Sequence, residues 1–144
     1  MPARDLYHDT VVRALVADGW TITNDPLRIG YGGQNFFVDL GAAREAIAAE
    51  KAGRKIAVEI KSFLSRSVVR DLEAAVGQYN LYRDILMETD PERALYLAVT
   101  AEIYDKLFAE KYGQFVIKRQ QLKLVVFDSQ QERIVEWIAE QQTS

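Results

Sequence analysis

The chain has no cysteine in its 144 residues. Disulfides, thiolate zinc sites and cysteine nucleophiles are excluded, and a reducing cytoplasmic location is expected. Histidine is almost as scarce. His8 stands alone, which removes poly-histidine metal centres and leaves a Ser-His-Asp triad a single candidate, with no nucleophile elbow to accompany it. Positive charge is not in excess: 18 Lys and Arg face 21 Asp and Glu, for a net charge of −3. A general nucleic-acid coater is usually basic, so indiscriminate DNA binding is disfavoured, while a local basic groove around acidic ligands stays compatible. No apolar run approaches the ~20 residues of a membrane span, and no membrane partner is expected. The charged stretch from Met1 to Asp9 lacks an apolar h-region, so no signal peptide is expected either. Repeats, low-complexity tracts and linkers are missing, which reads as one domain over 1–144. Gly30-Tyr31-Gly32-Gly33 lacks the Gly-Lys-Ser/Thr ending of a phosphate-binding loop and reads as a turn.

What is present is a hydrophobic fraction of 49%, enough for a sizeable core, in alternating helical and strand periods. Leu6, Val11, Val12, Leu15 and Val16 predict a helix over 5–18, with Asp5 at its start and Gly19 at its end. Trp20 to Thr23 reads as a strand, Leu27 to Ile29 as a short extended piece, and Asn35 to Leu40 as the strand carrying Asp39. Residues 43–50 read as helix or strand, and a pairing of Ile47–Lys51 with Lys55–Lys61 is one option. Ser65 or Ser67 is expected to cap a helix over 68–88, with Val69, Leu72, Val76, Tyr79 and Leu86, joined by Val68, Ala75 and Tyr82, as its buried stripe. Ala94 to Val99 reads as a buried strand. A helix from Ala101 to about Lys111 follows, broken at Tyr112-Gly113, then a short helix over 115–121 exposing Lys118 and Arg119. Leu122 to Phe127 reads as a strand, Arg133 to Ile138 as strand or helix, and 141–144 as a frayed tail. The sum is an α/β fold, a mixed β-sheet flanked by helices.

The stretch from Phe36 to Phe63 carries the chemistry. Side chains at i and i+2 of a strand share a face. Glu59 and Lys61 therefore project together, while Val58 and Ile60 point the other way into a core. Asp39 interrupts an apolar run, which is costly unless the acid is paired or metal-bound. Two acids and a lysine on adjacent strands can hold a cation beside a charge-stabilising group. Glu50 is a reserve ligand. In the hairpin pairing it lies about four residues from the level of Glu59, roughly 13 Å along a strand. Asp39 is thus the better partner.

Asp39 followed by Glu59-Ile60-Lys61 resembles the PD-(D/E)xK nuclease motif. The wider wording resembles the XisH family, the fdxN element excision controlling factors of cyanobacteria. That wording is Met1-Pro2-Ala3-Arg4-Asp5, Tyr7-His8-Asp9, Val38-Asp39-Leu40-Gly41-Ala42, Ala57-Val58-Glu59-Ile60-Lys61-Ser62-Phe63 and Gly77-Gln78-Tyr79, spread over nearly the whole chain. The resemblance implies a restriction-endonuclease-like core and a metal-dependent DNA endonuclease or nicking subunit. Asp39, Glu59 and the carbonyl of Ile60 would hold Mg²⁺ or Mn²⁺. Lys61 would orient water or stabilise phosphorane charge, and Gln78, with Tyr82 nearby, would stand beside the scissile phosphate. Many of these nucleases carry a supporting Glu on the first helix. Here the helix offers His8 and Asp9 instead, so that role is open. Arg66, Arg70, Lys118 and Arg119 are candidate DNA backbone contacts. The partners implied are DNA and a companion excision factor of the XisI kind, with a homo-oligomer left open. The alternative function is a non-catalytic regulatory or partner subunit retaining the nuclease fold.

Overall fold

A computed structural model describes residues 5–45 and 53–139. Among the described residues eight strands form in chain order: β1 (Thr21–Asn24), β2 (Leu27–Tyr31), β3 (Gln34–Val38), β4 (Leu40–Arg44), β5 (Arg54–Ile60), β6 (Arg93–Thr100), β7 (Leu124–Asp128) and β8 (Arg133–Ile138). Six make one sheet in the order β1-β4-β5-β6-β7-β8, and β2 and β3 pair separately. The chain crosses antiparallel from β4 to β5 and parallel through β5, β6 and β7, and β8 returns antiparallel to β7. The mixed sheet flanked by helices is therefore present.

The long helix α2 (Val68–Thr89) connects β5 to its parallel neighbour β6, as a parallel pair requires a crossover. Period-2 alternation along β5 sorts two cores. Val58 and Ile60, with Leu40 and Ile56, join Val11, Ala14 and Leu15 of α1 (His8–Ala17). Ala57 turns to the other face, among Leu72, Ala75, Tyr79 and Leu86 of α2. Fully burying a side chain such as Leu72 or Ile60 contributes roughly 1.5–3 kcal/mol, so each helix is held by its stripe rather than by propensity.

Several expectations shift. Helix α1 starts at His8, later than expected, because the Asp5 carboxylate accepts the Tyr7 N–H at 2.9 Å and the Asp5 carbonyl accepts the His8 N–H at 3.0 Å. Ser67 caps α2 through the Arg70 N–H, but Val68 and Val69 are exposed. They belong to the first turn, ahead of Leu72, the first buried residue of the helix. The strand expected over 35–40 is two strands in two sheets, meeting at Asp39. Gly32 and Gly33, at φ +61° and +82°, close the β2–β3 hairpin as a two-residue turn, the conformation that favours glycine there. β5 pairs with residues 40–44, and the optional partner strand Ile47–Lys51 lies outside the described residues. Residues 46–52, Glu50 included, lie outside the described residues, as do Met1 to Arg4 and 140–144.

The largest correction follows β6. Thr100 caps a short helix, α3 (Ala101–Ile103), through the Ile103 N–H. A π-helical turn over Tyr104–Phe108 follows, then α4 (Lys111–Gln120). Gly113 lies inside α4 and does not break it. A Cβ there would stand 2.0 Å from the Leu107 carbonyl oxygen and 2.4 Å from the Phe108 Cα. The glycine permits close approach of two backbones, a role indistinguishable from helix breaking in sequence.

Candidate functional site

Asp39 occupies the bend where the chain leaves β3 and enters β4. Leu40 pairs with Val58 in an antiparallel register, so Asp39 falls opposite Glu59, on the face that looks toward α2. Two backbone donors lock the arrangement. The Ile60 N–H donates to Asp39 Oδ2 at 2.7 Å, and the Asp39 N–H donates to Glu59 Oε1 at 3.2 Å. Each carboxylate thus anchors on the other's strand. Among the described residues, the second oxygen of each receives no N–H donor.

Glu59 is only 4% exposed. Burial raises its pKa from 4.5 to about 9, aided by a carboxyl–carboxyl hydrogen bond with Asp39 and by the Asp39 charge, against an opposing pull from Lys61. Burial and a like charge both disfavour the ionised form. Without a cation, one proton is therefore shared at the pair.

Lys61 follows on the same face and lines a cavity of about 330 Å³ with Ser62, Phe63, Ser65, Asp71 and Ala75. The loop after β5 is shaped by Asp71, which accepts the Ser65 N–H at 3.1 Å and the Ser65 hydroxyl at 2.7 Å. Phe63 at φ +54° turns the chain there. The sequence reasoning missed Ser65 and Asp71 as shapers of this wall.

Gln78 and Tyr82, four apart on α2, meet as helical spacing requires: Gln78 Nε2 donates to the Tyr82 hydroxyl at 3.0 Å. The Tyr82 pKa is raised, first by burial and then by the Glu59 charge, with Asp39 adding to it and the Gln78 bond opposing. Tyr82 therefore lies in the field of both acids. Phe36 of β3 packs against its ring at 5.9 Å, so the β2–β3 hairpin lies against α2 here. Gln78 Oε1 is buried without a hydrogen-bond partner.

The other expected residues are dispersed. His8 is buried and its Nε2 lies 2.8 Å from Asp25 Oδ1, while Nδ1 has no partner. Asp9 is exposed, in the field of Arg13. Arg66 and Arg70 are exposed at the start of α2. Lys118 and Arg119 are exposed in the last turn of α4. That helix ends beside the middle of α2, where Asn80 and Arg83 contact Gln120. About ten helical residues, roughly 15 Å, therefore separate the two basic pairs.

The donor set suits a hard divalent cation. It offers two carboxylates that share one proton when no cation is bound, with no cysteine thiolate and no second imidazole anywhere in the chain. Among the described residues no group of three or more His, Cys, Asp or Glu converges. The pair could offer two side-chain oxygens to a cation, a number compatible with Mg²⁺, which keeps several waters.

Comparison with known proteins gives a family. The model of the family described as XisH protein matches residues 1–135. The crystal structure of an XisH family protein from Nostoc punctiforme PCC 73102 is 42% identical, with a TM-score of 0.84 over 93% of this chain and 99% of that one. That of a fdxN element excision controlling factor protein from Anabaena variabilis is 41% identical, with a TM-score of 0.82 over 94% and 99%. No curated protein matches. Among the described residues no helix is long and apolar enough to cross a membrane.

Proposed function

The chain belongs to the XisH family, and we propose that it acts in excision of a DNA element as a metal-dependent endonuclease or nicking subunit with a PD-(D/E)xK-like centre. The observation that carries this reading is the paired carboxylates. Asp39 and Glu59 are pinned face to face by backbone N–H groups, with Glu59 buried. Leaving two acids together in a buried site is costly without a cation. Asp39 and Glu59 would hold Mg²⁺ or Mn²⁺, with the Ile60 carbonyl as a further ligand. When bound, the ion supplies a water of lowered pKa and polarises the scissile phosphate.

The chain's own residues do the rest. Lys61, whose charge acts on Glu59 and which lines the cavity, would stabilise charge developing on the phosphate. Gln78 would hold the water or the phosphate through a hydrogen bond, its Oε1 accepting from the water, and the Gln78 Nε2 bond to Tyr82 fixes the amide's orientation. Arg66 and Arg70, on the loop and helix start that border the same cavity, hold the DNA backbone. A companion factor of the XisI kind completes the excision complex.

One observation favours a second reading, a non-catalytic partner subunit that retains the fold. No third acidic or histidine ligand joins the pair among the described residues, and His8 is engaged with Asp25. A cleavage assay on supercoiled plasmid with Mn²⁺, with and without the companion factor, separates the two. Lys61→Ala is expected to lower cutting by on the order of 10²–10³, the value of one preorganised electrostatic contact. Its fold and companion binding should be retained. Cutting undiminished in Lys61→Ala would make the chain a structural subunit.

A further inference from the structure

Helix α4 carries a face that the candidate site does not use. At about 100° per residue, Lys111, Tyr112, Phe115, Lys118 and Arg119 fall within an arc of about 120°. Gly113 and Val116 turn inward and are buried. Both aromatic rings on the arc are open to solvent, Tyr112 at 47% and Phe115 at 55%. The Arg119 guanidinium lies 5.7 Å over the Phe115 ring. No acid falls on the arc, and none of the three cations is in an ion pair among the described residues. In a chain of net charge −3, this is a local concentration of positive charge around exposed rings.

We propose that this face binds single-stranded nucleic acid, the rings of Tyr112 and Phe115 stacking on unpaired bases and Lys111, Lys118 and Arg119 tracking the phosphates. Charge complementarity selects a polyanion. The exposed rings select one whose base faces are accessible, because a duplex buries those faces in its own stack. A membrane surface is a poorer match: an interfacial helix needs a broad apolar face, and this arc has two rings and no aliphatic side chain. The choice of DNA as the nucleic acid rests on the nuclease reading. The face would hold a strand opened or displaced during excision, while Asp39 and Glu59 act elsewhere.

The test is fluorescence anisotropy of a labelled oligo-dT 20-mer with the full chain in EDTA, beside a duplex of equal length. The wild-type chain is expected to bind the single strand more tightly than the duplex. Tyr112→Ala/Phe115→Ala should weaken single-strand binding by between about fivefold and a hundredfold, with its melting temperature unchanged because both rings are exposed. Lys118→Ala/Arg119→Ala should reduce the slope of log affinity against log salt by about 1.4. Unchanged binding in the aromatic variant, equal or tighter binding of the duplex, or binding of anionic vesicles in place of the oligonucleotide would each overturn the proposal. The two readings thus fail separately: absent cleavage with intact, ring-dependent binding sinks only the nuclease reading, and cleavage with ring-independent binding sinks only this one.

Discussion

Replacing Glu59 by Gln should stabilise the metal-free protein, and increasingly so as pH rises. The wild-type carboxyl has its pKa raised by burial and by Asp39 from 4.5 to about 9. Across that window the folded chain holds a proton that the unfolded chain releases. A folded-state pKa above the unfolded value contributes stability that is fully present below pH 4.5 and is lost as pH climbs toward 9, at up to about 1.4 kcal/mol per pH unit. Glu59→Gln keeps an oxygen to accept the Asp39 N–H and gives Asp39 an N–H donor in place of the shared proton, but it does not titrate. Between pH 5 and pH 8 the wild type is therefore expected to lose on the order of 2–4 kcal/mol relative to the variant. Urea denaturation of both proteins in EDTA at pH 5, 6, 7 and 8 reads the difference directly. Titrations elsewhere, such as that of Asp90, whose pKa its hydrogen bond with Lys55 lowers, are common to both chains and cancel. Two stability curves that run parallel across pH would refute the reasoning, because Glu59 would then titrate alike in the folded and unfolded chains.

Added Mg²⁺ or Mn²⁺ should raise the wild-type melting temperature, by an amount corresponding to about 2.7 kcal/mol at a hundredfold excess over the dissociation constant. Asp39→Ala should abolish that shift in the same thermal scan. The two helical glycines should respond oppositely to alanine. Gly113→Ala forces a Cβ into the Leu107 and Phe108 backbone and should destabilise by roughly 1–3 kcal/mol or more. A Cβ at Gly77 meets nothing within 4 Å, so Gly77→Ala should stabilise by about 0.5–1 kcal/mol through helix propensity. Chemical denaturation of each variant checks both signs.

The legible parts of the fold were those set by short periods. The alternation Ile56-Ala57-Val58-Glu59-Ile60 announced a buried strand with an acid on one face, and the pair Ser65 and Ser67 announced the helix start, with Ser67 the one that caps it. The apolar flanks of Asp39 marked it as unusual. That the chain changes sheets at Asp39 was not legible, because Asn35 to Leu40 has the local pattern of one continuous strand and only the pairing of Leu40 with Val58 divides it. Gly113 was misread for a related reason: its conformation is ordinary, and only the neighbouring backbone of Leu107 and Phe108 explains it. Exposure of Val68 and Val69 likewise depends on where the first turn of α2 sits relative to the core. Within the site, the spacing that brings Gln78 to Tyr82 is intrahelical and could be read. The Ser65–Asp71 bonds that shape the wall beside Lys61 form between a loop and a helix, and their meaning appears only in three dimensions.

The claim that Asp39 and Glu59 share a divalent cation is tested most directly by anomalous diffraction from crystals of the full chain soaked in Mn²⁺. The account predicts a single strong peak between the two carboxylates, at about 2.1 Å from an oxygen of each, and its loss in Asp39→Ala crystals. A peak elsewhere, or no peak at Mn²⁺ concentrations that raise the melting temperature, would contradict it.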